Sequence, residues 1–165
     1  MSAPRNGPIH PDSGETVSLG GLGVVFKLSG ADTGDAFSIV EHPLRPGALA
    51  APPHTHSRED EISLVLDGEI GVLVGDAVFT ATKGAYVVKP RGVPHTFWNA
   101  GADPARVQEI ITPAGFEAYF RDVAAVLAAS REPDIPRLIA IATRYGVTMH
   151  MERVPAVMQE HGVRL

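Results

Sequence analysis

The sequence contains no cysteine among its 165 residues. Disulfides are therefore excluded, and so is every metal site that needs a thiolate ligand, from zinc fingers to iron–sulfur clusters. Basic residues are also few, because 14 Lys and Arg stand against 19 Asp and Glu, giving a formal net charge of −5. Nucleic acid and membrane surfaces, which attract clustered basic side chains, are therefore not expected partners.

Long apolar runs are missing as well. No stretch reaches the roughly 18 apolar residues of a membrane-spanning helix, and the opening MSAPRNGPIHPDSG has no apolar core of a secretory signal. We therefore predict a cytoplasmic protein with a loose N-terminal arm over residues 1–15.

Short β-rich runs fill the first two-thirds of the chain, and many are separated by its 17 glycines and 14 prolines. The runs cover residues 24–28, 37–41, 62–66, 69–74, 77–82, 85–88, 95–99 and 105–111. Many short strands with closely spaced turns are typical of a β-sandwich or barrel. The pattern predicts a mainly β domain over residues 16–112.

The remaining residues, 113–165, show helical spacing instead. Apolar residues from Phe116 to Leu127 form one stripe. Asp134 is placed to cap a second helix, in which Ile135, Leu138, Ile139 and Ala142 would form the buried face. A third helix is predicted over residues 155–161. Acidic and basic residues balance in this region, so a DNA-reading role is not expected. We expect the helices to pack on the β domain or to form a dimer interface.

The segment Gly47-x6-His54-Thr55-His56-x4-Glu61-x6-Gly68 carries the first chemical signal. Alternate side chains of a strand point to the same side, so His54 and His56 would project together. Two imidazoles on one side of a sheet are half of a typical metal site. The spacing to Glu61 needs a turn or bulge that returns this carboxylate to the same side.

The second signal is Gly84-x5-Pro90-x-Gly92-x2-His95-x3-Asn99. The loop fixed by its prolines and glycine delivers His95 to the start of a strand. Alternation places Phe97 and Asn99 on the same side as His95, with Thr96 and Trp98 on the other.

These two segments resemble the paired motifs of the cupin superfamily. The second matches at every defining position, and the first has one extra residue between Gly47 and His54. The resemblance covers about residues 20–112 and implies a double-stranded β-helix, the jelly-roll barrel of cupins. It also implies that His54, His56, Glu61 and His95 bind one metal ion. Imidazole and carboxylate ligands suit divalent Fe, Mn, Ni, Co, Cu or Zn.

Several residues near the two motifs are not expected to bind the metal. Glu59 and Asp60 are rival carboxylates, but Glu61 alone keeps the six-residue step to Gly68, so we expect the other two to be solvated. We also expect His42 to face solvent. Asn99 is predicted to be a structural hydrogen bonder.

Flanking segments resemble small bacterial single-domain cupins similar to quercetin dioxygenase: Leu28-Ser29-Gly30-x-Asp32-Thr33-Gly34 and Pro113-Ala114-Gly115-Phe116. This likeness implies a dioxygenase acting on a small aromatic or enol-type substrate, with Glu61 both holding the metal and accepting a proton. Phe97 and Phe79 are the predicted substrate-contacting residues.

Two other functions stay open from the sequence. The same ligands could serve a non-redox isomerase, decarboxylase or cyclase, and a binding module without catalysis is a further alternative. A homodimer is expected, because barrel edges and an apolar helical stripe need covering.

Overall fold

The computed structural model describes residues 7–165, in which the chain forms eleven β-strands and four α-helices. The strands are β1 Thr16–Leu19, β2 Leu22–Leu28, β3 Ser38–Leu44, β4 His54–His56, β5 Asp60–Asp67, β6 Glu69–Val74, β7 Ala77–Thr82, β8 Tyr86–Lys89, β9 His95–Trp98, β10 Ala105–Thr112 and β11 Val147–Met149. The helices are α1 Gly30–Thr33, α2 Glu117–Ala129, α3 Ile135–Arg144 and α4 Val154–His161, and a short 3-10 helix spans Met151–Arg153.

The strands form two antiparallel sheets. One has six strands in the order β1-β2-β3-β10-β5-β8, and the other has five in the order β11-β4-β9-β6-β7. A buried apolar cluster joins the sheets, with Leu44, Val65 and Val107 from the first and Ile70 and Val72 from the second. The predicted mainly β fold, a jelly roll with a C-terminal helical extension, is confirmed.

The extension packs on the barrel. Phe116 and Phe120, at the start of α2, join a second buried cluster with Val24, Val40 and Ile111. The α4 helix covers Trp98 on the outside of the five-stranded sheet, through Val154 and Val157. No helix among residues 7–165 is long and apolar enough to cross a membrane.

The buried face predicted for α3 was wrong. Asp134 caps the helix as predicted, accepting a hydrogen bond from the backbone of Arg137, but Ala142 is the one buried member of the set. Ile135 and Ile139 are exposed, and Leu138 is half-buried. The reason is that α2 and β11, the main neighbours of α3, cover one side of an amphipathic helix.

Two strands were not predicted. They are β1, four residues long, and β11, three residues long. Residues 7–15 form no strand or helix, and residues 1–6 of the predicted arm lie outside the described part of the chain. The predicted domain boundaries stay a prediction.

Candidate metal centre

Both sheets contribute to the candidate metal centre. His54 and His56 lie on β4 and His95 begins β9, and both strands belong to the five-stranded sheet; Glu61 lies on β5 of the other sheet. One ligand atom from each of the four residues lies within 4.8 Å of the corresponding atoms of the others. The structure therefore brings together all four residues that the motifs single out. The turn expected before Glu61 is present, and it carries the chain from one sheet to the other.

The strand that carries two of these histidines is held mainly by the C-terminal extension. β4 pairs with β11 at three positions, and with β9 at the single pair His54–His95. The backbone of Ser57 donates to Gly146 at 2.9 Å, and that of His150 donates to Pro53 at 2.8 Å. Gly146 has φ +75°, and a Cβ there would lie 2.5 Å from the Ser57 hydroxyl, so glycine is required at this contact.

Each histidine ring is oriented by a hydrogen bond from Nδ1. His54 donates to the carbonyl of Pro52 at 2.8 Å and His95 to the carbonyl of Val93 at 3.0 Å. His56 donates to a carboxylate oxygen of Glu59 at 3.4 Å. Because carbonyls and carboxylates only accept, Nδ1 carries the proton and Nε2 keeps its lone pair.

Buried ring nitrogens without a partner show that the site suits a cation. Nε2 of His56 and Nε2 of His95 are both buried and lack a hydrogen bond. They lie 3.6 Å and 3.2 Å from oxygens of Glu61, but the second contact does not have hydrogen-bond geometry. Burying polar atoms unpaired is costly. A divalent ion that binds imidazole nitrogen and carboxylate oxygen would satisfy both atoms, so the residues fit such a group.

The charge states of the ligands favour metal binding. Burial and the neighbouring imidazoles hold the pKa of His54 well below its usual value, and burial likewise lowers the pKa of His95. Burial would raise the pKa of Glu61, but the Lys89 ammonium and the nearby histidines hold it well below its usual range. Neutral imidazole and ionised carboxylate are the forms that coordinate metals.

A buried charge chain adjoins the centre, and sequence reasoning did not find it. The Lys89 ammonium lies 2.9 Å from Glu61 Oε2 and donates to Glu109 Oε2 at 2.7 Å. The Ser63 hydroxyl lies 3.1 Å from both oxygens of Glu109. Burial raises the pKa of Glu109 to about 7 despite the adjacent ammonium. A sequence signal existed, because Glu109 stands between Val107 and Ile111 at an inward position of β10.

Two expectations about neighbouring residues were wrong. His42 is only 3% exposed, because β3 turns it inward, and its Nδ1 donates to the carbonyl of Gly23 at 3.0 Å. Burial lowers the pKa of His42 to about 4. Glu59 is also buried, at 6% exposure, because it orients His56. Asp60 lies at the surface and pairs with Arg91, as a solvated carboxylate would.

Aromatic rings surround the centre. Phe97 is buried, with its ring 6.1 Å from His42 and 5.1 Å from the Lys89 ammonium. Phe116 lies edge-on to His56 at 4.5 Å, and Phe120 lies edge-on to His42 at 5.3 Å. The last two belong to the apolar stripe, in which nothing in the sequence marked them as neighbours of the site.

Two further predicted residues lie apart from these rings. Phe79 is 41% exposed on β7, at the edge of its sheet, and its substrate role stays a prediction. Asn99 is a structural hydrogen bonder as predicted, since its amide donates to the carbonyls of Leu44 and Asp103.

Comparison with known proteins agrees with this geometry. A family model for the cupin domain matches residues 41–111, a span that holds all four candidate ligands. Germin-like protein subfamily 2 member 2 of Arabidopsis thaliana is 33% identical over 72% of this chain and 54% of its own length. The chain thus spans about half the length of that curated relative.

Solved structures of low sequence identity share the fold. KdgF from Halomonas sp. has a TM-score of 0.60 at 17% identity, covering 69% of this chain and 99% of its own. A cupin-superfamily sugar phosphate isomerase from Silicibacter pomeroyi has a TM-score of 0.56 at 22% identity, covering 64% and 75%.

Proposed function

We propose that this chain is a metal-dependent enzyme of the cupin superfamily whose ion is held by His54, His56, Glu61 and His95, and the match of a cupin-domain family model to residues 41–111 supports this. The observation that carries the proposal is the pair of buried, unpartnered Nε2 atoms of His56 and His95 beside the Glu61 carboxylate. When bound, a divalent transition metal there supplies Lewis acidity and, for a redox-active ion, a partner for O₂.

We further propose that the reaction is the oxidation by O₂ of a small aromatic or enol-type substrate. Aromatic rings support this substrate class, because Phe116 lies beside the candidate ligand His56. Two more, Phe97 and Phe120, lie beside His42. His42, neutral at pH 7 with its Nδ1 engaged, offers its other nitrogen to a substrate hydroxyl. Glu61 remains the predicted proton acceptor, although its lowered pKa and its contact with Lys89 make it a weak base.

A non-redox reaction is the second candidate, and Glu109 is the observation that favours it. With a pKa of about 7, this carboxyl can hold or release a proton near neutral pH within the buried charge chain. An isomerase or decarboxylase needs such proton transfer and consumes no O₂.

The predicted homodimer and cytoplasmic location stay predictions. Support for an interface comes from β7 and β8, which are sheet edges with exposed apolar side chains: Val78, Phe79, Tyr86 and Val88.

Elemental analysis of His95→Ala against His161→Ala tests the metal assignment. We expect the first variant to lose most of its metal, because one of four ligands is gone, and the second to retain it. His161 is a fair control, because it stacks on Trp98 outside the barrel, with ring centroids 4.1 Å apart. Equal metal content in both variants would remove His95 from the site.

Oxygen uptake then separates the two candidate reactions. The metal-loaded protein is assayed with an O₂ electrode against a panel of flavonols and 1,3-dicarbonyl compounds. Turnover with O₂ consumption supports the dioxygenase, and turnover without it supports the non-redox enzyme.

A further inference from the structure

We propose that Lys89 is a positioning residue of the metal centre. It fixes the orientation of the Glu61 carboxylate by holding one of its oxygens, and its positive charge weakens the binding of a cation at the site. The inference rests on the proposed metal site and adds to it a residue at one of the unspecified positions between Gly84 and Pro90 of the second motif.

The contacts give Lys89 a defined task. Its ammonium lies 2.9 Å from Oε2 of Glu61, and the same oxygen lies 3.2 Å from Nε2 of His95. Oε1 of Glu61 lies 3.6 Å from Nε2 of His56. Lys89 therefore holds the carboxylate in the orientation in which each of its oxygens faces one imidazole. Lys89 and Glu61 are direct cross-strand partners on β8 and β5, so the sheet itself sets this distance.

Lys89 is itself fixed by groups behind it. It is 1% exposed and donates to Glu109 at 2.7 Å, and Glu109 is within hydrogen-bond reach of Ser63. Burial alone would lower the pKa of Lys89, but the two carboxylates hold it above its usual value, so the side chain is an ammonium. A buried cation beside a candidate ligand repels a second cation much more strongly than it would in water.

Lys27 shows what a merely structural buried lysine looks like in this chain. Its ammonium donates to the carbonyls of Pro11 and Ser13 at 2.5 Å and 2.8 Å, and its nearest carboxylate, Glu41, lies at 3.8 Å. Lys27 ties the arm to the barrel and touches no candidate ligand. It is therefore the matched control.

The signs of two substitutions follow from the charges. Lys89→Met removes the repelling cation and the contact that fixes the orientation of the Glu61 carboxylate, so the ion is bound more tightly and in a changed geometry. Above pH 7, where the Glu109 carboxyl is ionised, Glu109→Gln removes a negative charge but keeps Lys89 on Glu61, so the ion is bound more weakly with its geometry kept. A merely structural role for Lys89 would instead loosen binding in both variants.

Cobalt(II) is the probe, because its visible absorption reports ligand geometry and a competing chelator gives its affinity. For Lys89→Met we expect affinity about tenfold higher than wild type and an altered spectrum. For Glu109→Gln we expect affinity about tenfold lower and an unaltered spectrum, effects in the range known for groups that orient metal ligands. Lys27→Met should match wild type in both measurements, and circular dichroism checks that each variant folds.

The outcomes separate this inference from the proposed function. If wild type binds no cobalt(II), both fall. If wild type binds it and Lys89→Met shows equal or weaker affinity with the same spectrum, the positioning role is overturned and the metal site stands. Should Lys89→Met fail to fold, Glu109→Gln decides, since affinity equal to or above that of wild type, or an altered spectrum, overturns the proposal.

Discussion

The inside of the barrel holds two regions of opposite chemistry on the same strands. Along β3 the inward residues run from Leu44 to His42 to Val40, and along β10 from Val107 to Glu109 to Ile111. A layer of buried polar and charged side chains thus lies between two apolar clusters. We call it the polar layer; its members are the buried His42, His56, Glu61, Ser63, Lys89, His95 and Glu109 together with the half-buried His54.

The difference shows that stability and chemistry are assigned to separate layers. Apolar side chains gain free energy when they leave water, whereas charged groups lose it unless they are paired. The polar layer is costly to bury, so the apolar clusters on either side must stabilise the fold. Substitutions in the apolar clusters should therefore change the free energy of unfolding. Substitutions in the polar layer should change the charge of the barrel interior and the binding of a metal ion.

The largest effect on stability is expected in the apolar layer. Leu44→Ala should lower the free energy of unfolding by about 2–5 kcal/mol, because it leaves a cavity in a closely packed cluster. Urea denaturation measures this change. Cobalt(II) affinity of the folded variant should equal that of wild type, and a tenfold change would show that the layers are not separate.

A pH-dependent effect is expected in the polar layer. In the unfolded chain His42 takes up a proton near pH 6.5, but in the folded chain its pKa is about 4. Because the unfolded state binds the proton first, wild type loses on the order of 3 kcal/mol of stability from this group as pH falls from 6.5 to 4. His42→Phe should lack that loss.

The charged groups around His42 are the same in wild type and in His42→Phe, so their own titration contributes equally to both stability–pH curves. Lys89 opposes and Glu61 favours protonation of His42, and the three ligand histidines are present in both chains. The difference between the two stability–pH curves, measured with a chelator present, therefore isolates His42. Parallel curves would show that this imidazole is not buried as a neutral group.

The smallest effect is expected outside both layers. Ile139 is 46% exposed on α3. Ile139→Ser should change the unfolding free energy by no more than about 0.5 kcal/mol, as is usual for surface substitutions. A loss of 2 kcal/mol or more in thermal or urea unfolding would mean that a partner covers this helix face, as a dimer interface would.

The sequence predicted the four candidate ligands, which the structure brings together, because their spacing forms two motifs. It predicted the barrel because glycine and proline separate short β-rich runs. The buried charge chain was harder to predict. The inward direction of Glu109 follows from alternation, but its contact with Lys89 depends on β10 and β8 both flanking β5, which is a non-local pairing. No local pattern contains that information.

The incorrect predictions for His42 and α3, and the missed strand β11, also depend on contacts between distant parts of the chain. Placing His42 in solvent ignored the closing of β3 against β10. A helical pattern on α3 identifies an apolar face but not whether anything covers it. β11 is only three residues long and pairs with residues some ninety positions earlier, so its own sequence carries little strand signal.

The pairing of β11 with β4 also has a consequence for the order of synthesis. The ribosome makes residues 147–149 after every strand of the barrel, so until then β4 is an uncovered sheet edge attached to its neighbour by a single residue pair. Val147 also belongs to the second apolar cluster, so a nascent chain fixes His54 and His56 at the same late step that completes this cluster. Binding of a metal ion by these residues would then be a late event in biogenesis.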